Sequence, residues 1–146
     1  MRIAVACDHA AYVEKGALVE HLKQLGHHVD DCGVNGPESV DYPDYAKRAC
    51  ERIQQGKADF GILLCGSGIG MSMAANKMKG IRAALLADTR SASLTRNHNN
   101  ANVICFGARM IDLATILACT DAFLASEYEA GRHDTRIAKM MQLEGC

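Results

Sequence analysis

Short apolar runs alternate about five times along the chain with longer stretches whose apolar residues recur every three or four positions. The runs at residues 2–7, 27–32, 60–64, 82–86 and 103–106 read as strands, and the second (HHVDDC) is polar enough to suit a sheet edge. The periodic stretches predict helices over 12–25, 45–55 and 71–77, then from Asp88 or Thr89 to 97, over 112–125 and over 134–143. In the first helix Val13, Ala17, Leu18, Leu22 and Leu25 share an apolar face, and Gly26 ends it as a left-handed cap. A loop over 33–43 follows the second strand, and its Pro43 opens the second helix. Strands joined through single helices require right-handed crossovers. The expected fold class is therefore α/β, a single-domain three-layer α/β/α sandwich on a five-stranded parallel sheet, Rossmann-like, over residues 1–146. Ligands of such sheets bind beyond the carboxyl ends of the strands.

Composition narrows the function classes. Of 146 residues, 49% are hydrophobic and 23% charged, the mix of one globular domain with a real core. Only three Phe and no Trp, against many small residues, favour close packing of helices on a sheet. Sixteen Lys and Arg offset seventeen Asp and Glu, so the basic bias of sequence-independent nucleic-acid binding is missing. No apolar run approaches the roughly 20 residues that span a bilayer, and Asp8-His9 comes too early for a signal peptide. No nucleic-acid or membrane partner and a cytoplasmic location are expected. The seven Cys are odd in number and form no C-x-x-C pair, and the six His form no H-x-x-x-H. Neither a disulfide framework nor a metal is expected.

Candidate chemistry follows the strands. Cys7-Asp8-His9 comes after the first, Cys65-Gly66-Ser67-Gly68 after the third, and His98-Asn99 at the end of the fourth helix, and these are expected to converge on one cleft. In Cys65-Gly-Ser-Gly-Ile-Gly70 the glycine spacing fails the dinucleotide fingerprint, no Lys-Ser/Thr completes a Walker A, and Met71 stands where a Cys-type phosphatase needs Arg. What remains is an anion-binding loop of backbone N–H groups or a structural tight turn. Cys65 sits beside those N–H groups, whose positive potential favours a thiolate, whereas Cys7 adjoins the negative Asp8 and reads as packing. His98, in a polar loop entry, can exchange a proton near neutral pH or simply lie on the surface. Arg132 and Arg136, four apart, form either a phosphate clamp or a solvated helix face, and Arg109 could join them.

Jointly, C-D-H at 7–9, D-Y-P-D-Y-A at 41–46, C-G-S-G-I-G at 65–70, A-A-N-K at 74–77, I-R-A at 81–83, H-N at 98–99, F-G-A-R at 106–109 and G-R-H at 131–133 with Arg136 make the chain resemble the type B ribose-5-phosphate isomerase family. The resemblance covers nearly the whole chain and extends to isomerases of allose and galactose 6-phosphates. It implies metal-free, cofactor-free interconversion of D-ribose 5-phosphate and D-ribulose 5-phosphate through an enediolate. Cys65 would move the proton between C1 and C2. The amides of Gly66, Ser67, Gly68, Ile69 and Gly70 would form the anion hole, and Ser67 would relay a proton between the two oxygens. His98 would open the furanose ring, with Asp8 and Asn99 binding sugar oxygens. His9, Arg132 and Arg136 would hold the phosphate across a homodimer interface, with Arg109 at another binding position and a tetramer as the next level of assembly. One branch of the family uses a Glu six residues after the Cys position; Met71 puts this chain in the Cys branch. The implied strand order is 2-1-3-5-4. The rival readings are an isomerase of allose or galactose 6-phosphate, a non-catalytic phosphosugar-binding module, and one half of a heteromer; binding alone needs none of the proton-transfer groups Cys65, Ser67 and His98, and full retention of the matched residues favours a self-sufficient homomer.

Overall fold

The structure, a computed structural model, describes residues 1–145. Its elements are β1 (Arg2–Cys7), α1 (Tyr12–Gln24), β2 (His28–Asp31), α2 (Tyr42–Gln54), β3 (Phe60–Cys65), α3 (Ile69–Asn76), β4 (Ala83–Leu85), α4 (Thr89–Asn97), β5 (Val103–Gly107), α5 (Leu113–Leu124) and α6 (His133–Gln142). The strands form one parallel sheet in the order β2-β1-β3-β5-β4, the order the family resemblance implies. Polar β2 lies at an edge, as its composition predicts.

Side-chain parity in the central strands builds the two cores. Ile3, Val5, Cys7, Ile62, Leu64, Ile104 and Phe106 face α1, α4 and α5. Ala4, Ala6, Leu63, Cys65, Val103 and Cys105 face α2 and α3, which answer with Ala46, Ala49, Cys50, Met71 and Ala75. The second core is built largely from small residues, which lets α2 and α3 lie close to the sheet. In register, Cys7 pairs with Leu64 and Cys65 with Gly107, so β1, β3 and β5 end level and their following loops meet.

Three expectations need correction. The buried stripe of α1 is Lys15, Leu18, Val19 and Leu22, whereas Val13 and Leu25 are 64% and 54% exposed. The stripe turns because Lys15, 1% exposed, is drawn inward by Asp31 Oδ1 and Asn35 Oδ1, each 2.6 Å from its Nζ. Helix α2 begins at Tyr42, not near 45, since Pro43 occupies the first helical turn, where its missing N–H costs nothing. Helix α3 begins at Ile69, two residues early, because Gly68 at φ 76° turns the chain within one residue. Other ends agree within a residue or two, including the N-caps: Asp88 accepts the Ser91 N–H at 2.7 Å and Asp112 the Thr115 N–H at 2.9 Å. No helix among the described residues is long and apolar enough to cross a membrane.

Candidate active site

The level ends of β1, β3 and β5 leave an open pocket of about 410 Å³ lined by Asp8, His9, Ala10, Tyr42, Cys65, Gly66, Ser67, Gly70, Arg109 and Met110. After β1, the Asp8 carboxylate is buried and accepts the Ala10 N–H at 2.9 Å. The Val40 N–H donates to His9 Nδ1 at 3.2 Å, which anchors the ring at the pocket wall. After β3, the Gly68 N–H donates to Cys65 Sγ at 3.1 Å and the Ile69 N–H to Ser67 Oγ at 3.2 Å. The first-turn amides of Gly70 and Met71 have no intrahelical partner, as at any helix N-terminus. After β5, the Ala108 and Arg109 N–H groups bond the Cys65 and Gly66 carbonyls at 2.9 and 3.0 Å, which fastens Arg109 across the glycine loop.

Gly68, which ends the loop, and Gly70, in the first turn of α3, are there for close approach. A Cβ on Gly68 would lie 2.6 Å from Leu85 Cδ1 and 2.8 Å from the Phe106 backbone; one on Gly70 would lie 2.6 Å from the Tyr42 ring. Tyr42 thus covers the first turn of α3 and walls the pocket. Cys65 is the only described cysteine that lines it. Burial pushes the Cys7 thiol up to about 11, with a further rise from Asp8, and the Cys50 thiol up to about 12, so both serve packing.

The pocket therefore assembles Asp8, His9, Cys65, Gly66, Ser67, Gly70 and Arg109, with Gly68 and Ile69 in its loop. It does not include His98, Asn99, Arg132 or Arg136, and the expected single cleft is corrected on this point. Crossover helices in a parallel sheet start at the carboxyl edge and return to the amino edge. The end of α4, and with it His98, lies on the opposite edge from Cys65. Asn99 lines a larger amino-edge cleft of about 850 Å³ with Arg82, Ala83, Met140 and Leu143 among others. The His98 ring stacks on His133, with centroids 4.5 Å apart and planes inclined 16°. Arg132 caps α6 and lies with Arg136 on the exposed surface.

His98, Glu129 and His133 hold their donor atoms within 4.8 Å of one another. Near-parallel rings, however, aim their nitrogen lone pairs side by side rather than at one point, so the trio does not present a convergent metal site. Sequence reasoning missed Tyr42 as a pocket wall. The direction of α2 could have found it, because a residue at the start of a crossover helix must lie at the carboxyl edge. His133 lies in the G-R-H motif, but nothing local indicates that its ring meets that of His98.

The Ribose/Galactose Isomerase family model matches residues 3–140. The chain is 41% identical over 143 residues to ribose-5-phosphate isomerase B of Escherichia coli, covering 98% of this chain and 96% of that protein. The ribose-5-phosphate isomerase B structure from Clostridium thermocellum superposes with a TM-score of 0.98 at 41% identity, covering 99% and 98% of the two chains. That from Mycoplasma genitalium with bound ribulose-5-phosphate gives 0.94 at 39% identity, covering 99% and 96%.

Proposed function

The chain belongs to the ribose/galactose isomerase family, and on that premise we propose that it is an aldose–ketose isomerase, a single domain interconverting D-ribose 5-phosphate and D-ribulose 5-phosphate. The observation that carries the reading is the Cys65 sulfur, held by the Gly68 N–H at 3.1 Å in a pocket with Asp8, His9, Ser67 and Arg109. Removing a carbon-bound proton beside a carbonyl needs a positioned base and donors for the developing oxyanion. The thiol and the α3 N-terminus supply both.

Ring opening comes first. The C1–O4 bond breaks with its electron pair going to O4, which takes a proton from His98, while the O1 proton passes to water and C1=O1 forms. The Cys65 thiolate then removes the C2 proton, leaving an enediolate with its charge on O1, facing the loop and helix amides. Ser67 relays the O2 proton to O1, Cys65 returns its proton to C1, and the C2 ketone results. Asp8 and Asn99 bind sugar oxygens, and His9, Arg132, Arg136 and Arg109 bind the phosphate. No metal or cofactor takes part.

This assignment requires a homodimer. Cys65 and His98 lie at opposite edges of one sheet, so one chain cannot bring both to a single sugar. A two-fold pair that sets one chain's carboxyl edge against the other's amino edge would complete two equivalent sites.

Proton NMR of the protein with ribose 5-phosphate in deuterated water containing EDTA tests the reaction. Ribulose 5-phosphate with deuterium at the exchanging carbon is expected. Silence with this substrate and with allose and galactose 6-phosphates would replace catalysis by phosphosugar binding alone.

A further inference from the structure

His133 has no part in the reaction just described, yet it is 7% exposed and its ring lies flat against that of His98. Its segment is braced. The Glu129 N–H bonds the Asn97 carbonyl at 3.0 Å, which ties the segment to the end of α4. The Tyr128 hydroxyl donates to Asp134 Oδ1 at 2.6 Å, and the His133 and Asp134 N–H groups close onto Ala130 and Gly131 at 3.3 and 3.1 Å. Ala130 takes a left-handed φ of 57°, strained for a residue with a Cβ, so the turn is held by its surroundings. On the other side, Asn100 at φ 49° shapes the exit from His98, and the Arg82 Nε–H holds its carbonyl at 2.8 Å. Glu129 Oε1 stands 3.7 Å from His98 Nε2 and 4.0 Å from His133 Nε2, beyond hydrogen-bond length from either. The His98 ring is therefore oriented by a face rather than by a bond at one nitrogen. Stacking fixes the plane of an imidazole and leaves both nitrogens available for proton transfer.

We propose that His133 is a positioning residue for His98, its buried ring being the support that holds the His98 imidazole in the orientation that serves the furanose oxygen of a sugar bound at the partner's Cys65. The inference rests on the reading of His98 as the ring-opening group. The short stretch from Glu129 to Arg136 then carries both the phosphate arginines and the brace of the ring-opening imidazole.

The two sugars separate this role from general support of the site. Ribose 5-phosphate closes a five-membered ring and must be opened. Ribulose 5-phosphate has its O5 esterified, has no hydroxyl placed to close such a ring onto C2, and enters open. In His133→Ala, kcat for ribose 5-phosphate should fall about 10- to 100-fold with its KM changed little. Exchange of the C1 hydrogen of ribulose 5-phosphate with deuterated water should change less than about threefold, because it needs no ring opening. His133→Phe, which keeps a flat ring, should recover ribose 5-phosphate turnover to within about threefold of wild type. Equal loss with both sugars, unchanged ribose 5-phosphate turnover in His133→Ala, or no recovery in His133→Phe would each overturn the positioning role. A wild-type protein inactive on both sugars would instead overturn the isomerase reading and this inference with it.

Discussion

At the scale of single residues, chemistry separates groups that look alike in the sequence. Cys7 and Cys65 both end a strand, but Cys7 is sealed by burial and bonds the Val34 carbonyl at 3.4 Å, while Cys65 lines an open pocket. Cys65→Ala should cost about 10³-fold in kcat while ribulose 5-phosphate still binds, as read by calorimetric titration. Iodoacetamide at neutral pH should alkylate Cys65 and spare Cys7 and Cys50, mapped by peptide mass spectrometry. Arg136→Ala should raise KM about tenfold and change kcat less, since it removes binding rather than proton transfer. Cys65 could be singled out from the sequence because its setting, a strand followed by small residues, is local. Tyr42 and His133 could not, because each acquires its role from a ring or backbone distant in the chain.

At the scale of elements, the alternation of apolar runs and helical periods specified the strands and helices, but not how each helix is rotated about its axis. For α1 that rotation depends on Lys15, whose bonds to Asp31 and Asn35 tie the helix to the end of β2 and the loop beyond it. Lys15→Ala should lower stability by about 2–4 kcal/mol in urea unfolding, through a lost buried pair and a cavity under its stem. Helix ends follow simpler rules. The Ser91 N–H holds the Asp88 carboxyl below its ordinary 3.8, and Thr115, through hydroxyl and N–H, does the same for Asp112. A depressed folded value means that the caps stabilise fully above pH 3.8 and lose that contribution as pH falls through the lowered values. Asp88→Asn with Asp112→Asn keeps a capping oxygen and removes the titration. Urea midpoints at pH 6 and pH 3 should therefore lie closer together in the double variant than in wild type.

At the scale of the whole molecule, the separation of Cys65 from His98 becomes a prediction about assembly. Cys65→Ala and His98→Ala dimers should each be nearly inactive, but mixing them under conditions of subunit exchange should restore about a quarter of wild-type activity. Random pairing makes half the dimers mixed, and each mixed dimer has one intact site of two. If no activity returns while native mass spectrometry shows mixed dimers, the shared site is wrong. The parallel α/β architecture, the glycine-rich turn after β3 and the family likeness were legible in the sequence, because strand and helix periods, glycine spacing and short motifs are properties of neighbouring residues. Chain packing in three dimensions is what sets His98, Arg132 and Arg136 outside the pocket of Cys65, buries Lys15 rather than Val13, lays Tyr42 on Gly70 and stacks His133 on His98. These depend on helix direction, axial rotation and contacts between residues far apart in the chain, and no local pattern encodes them.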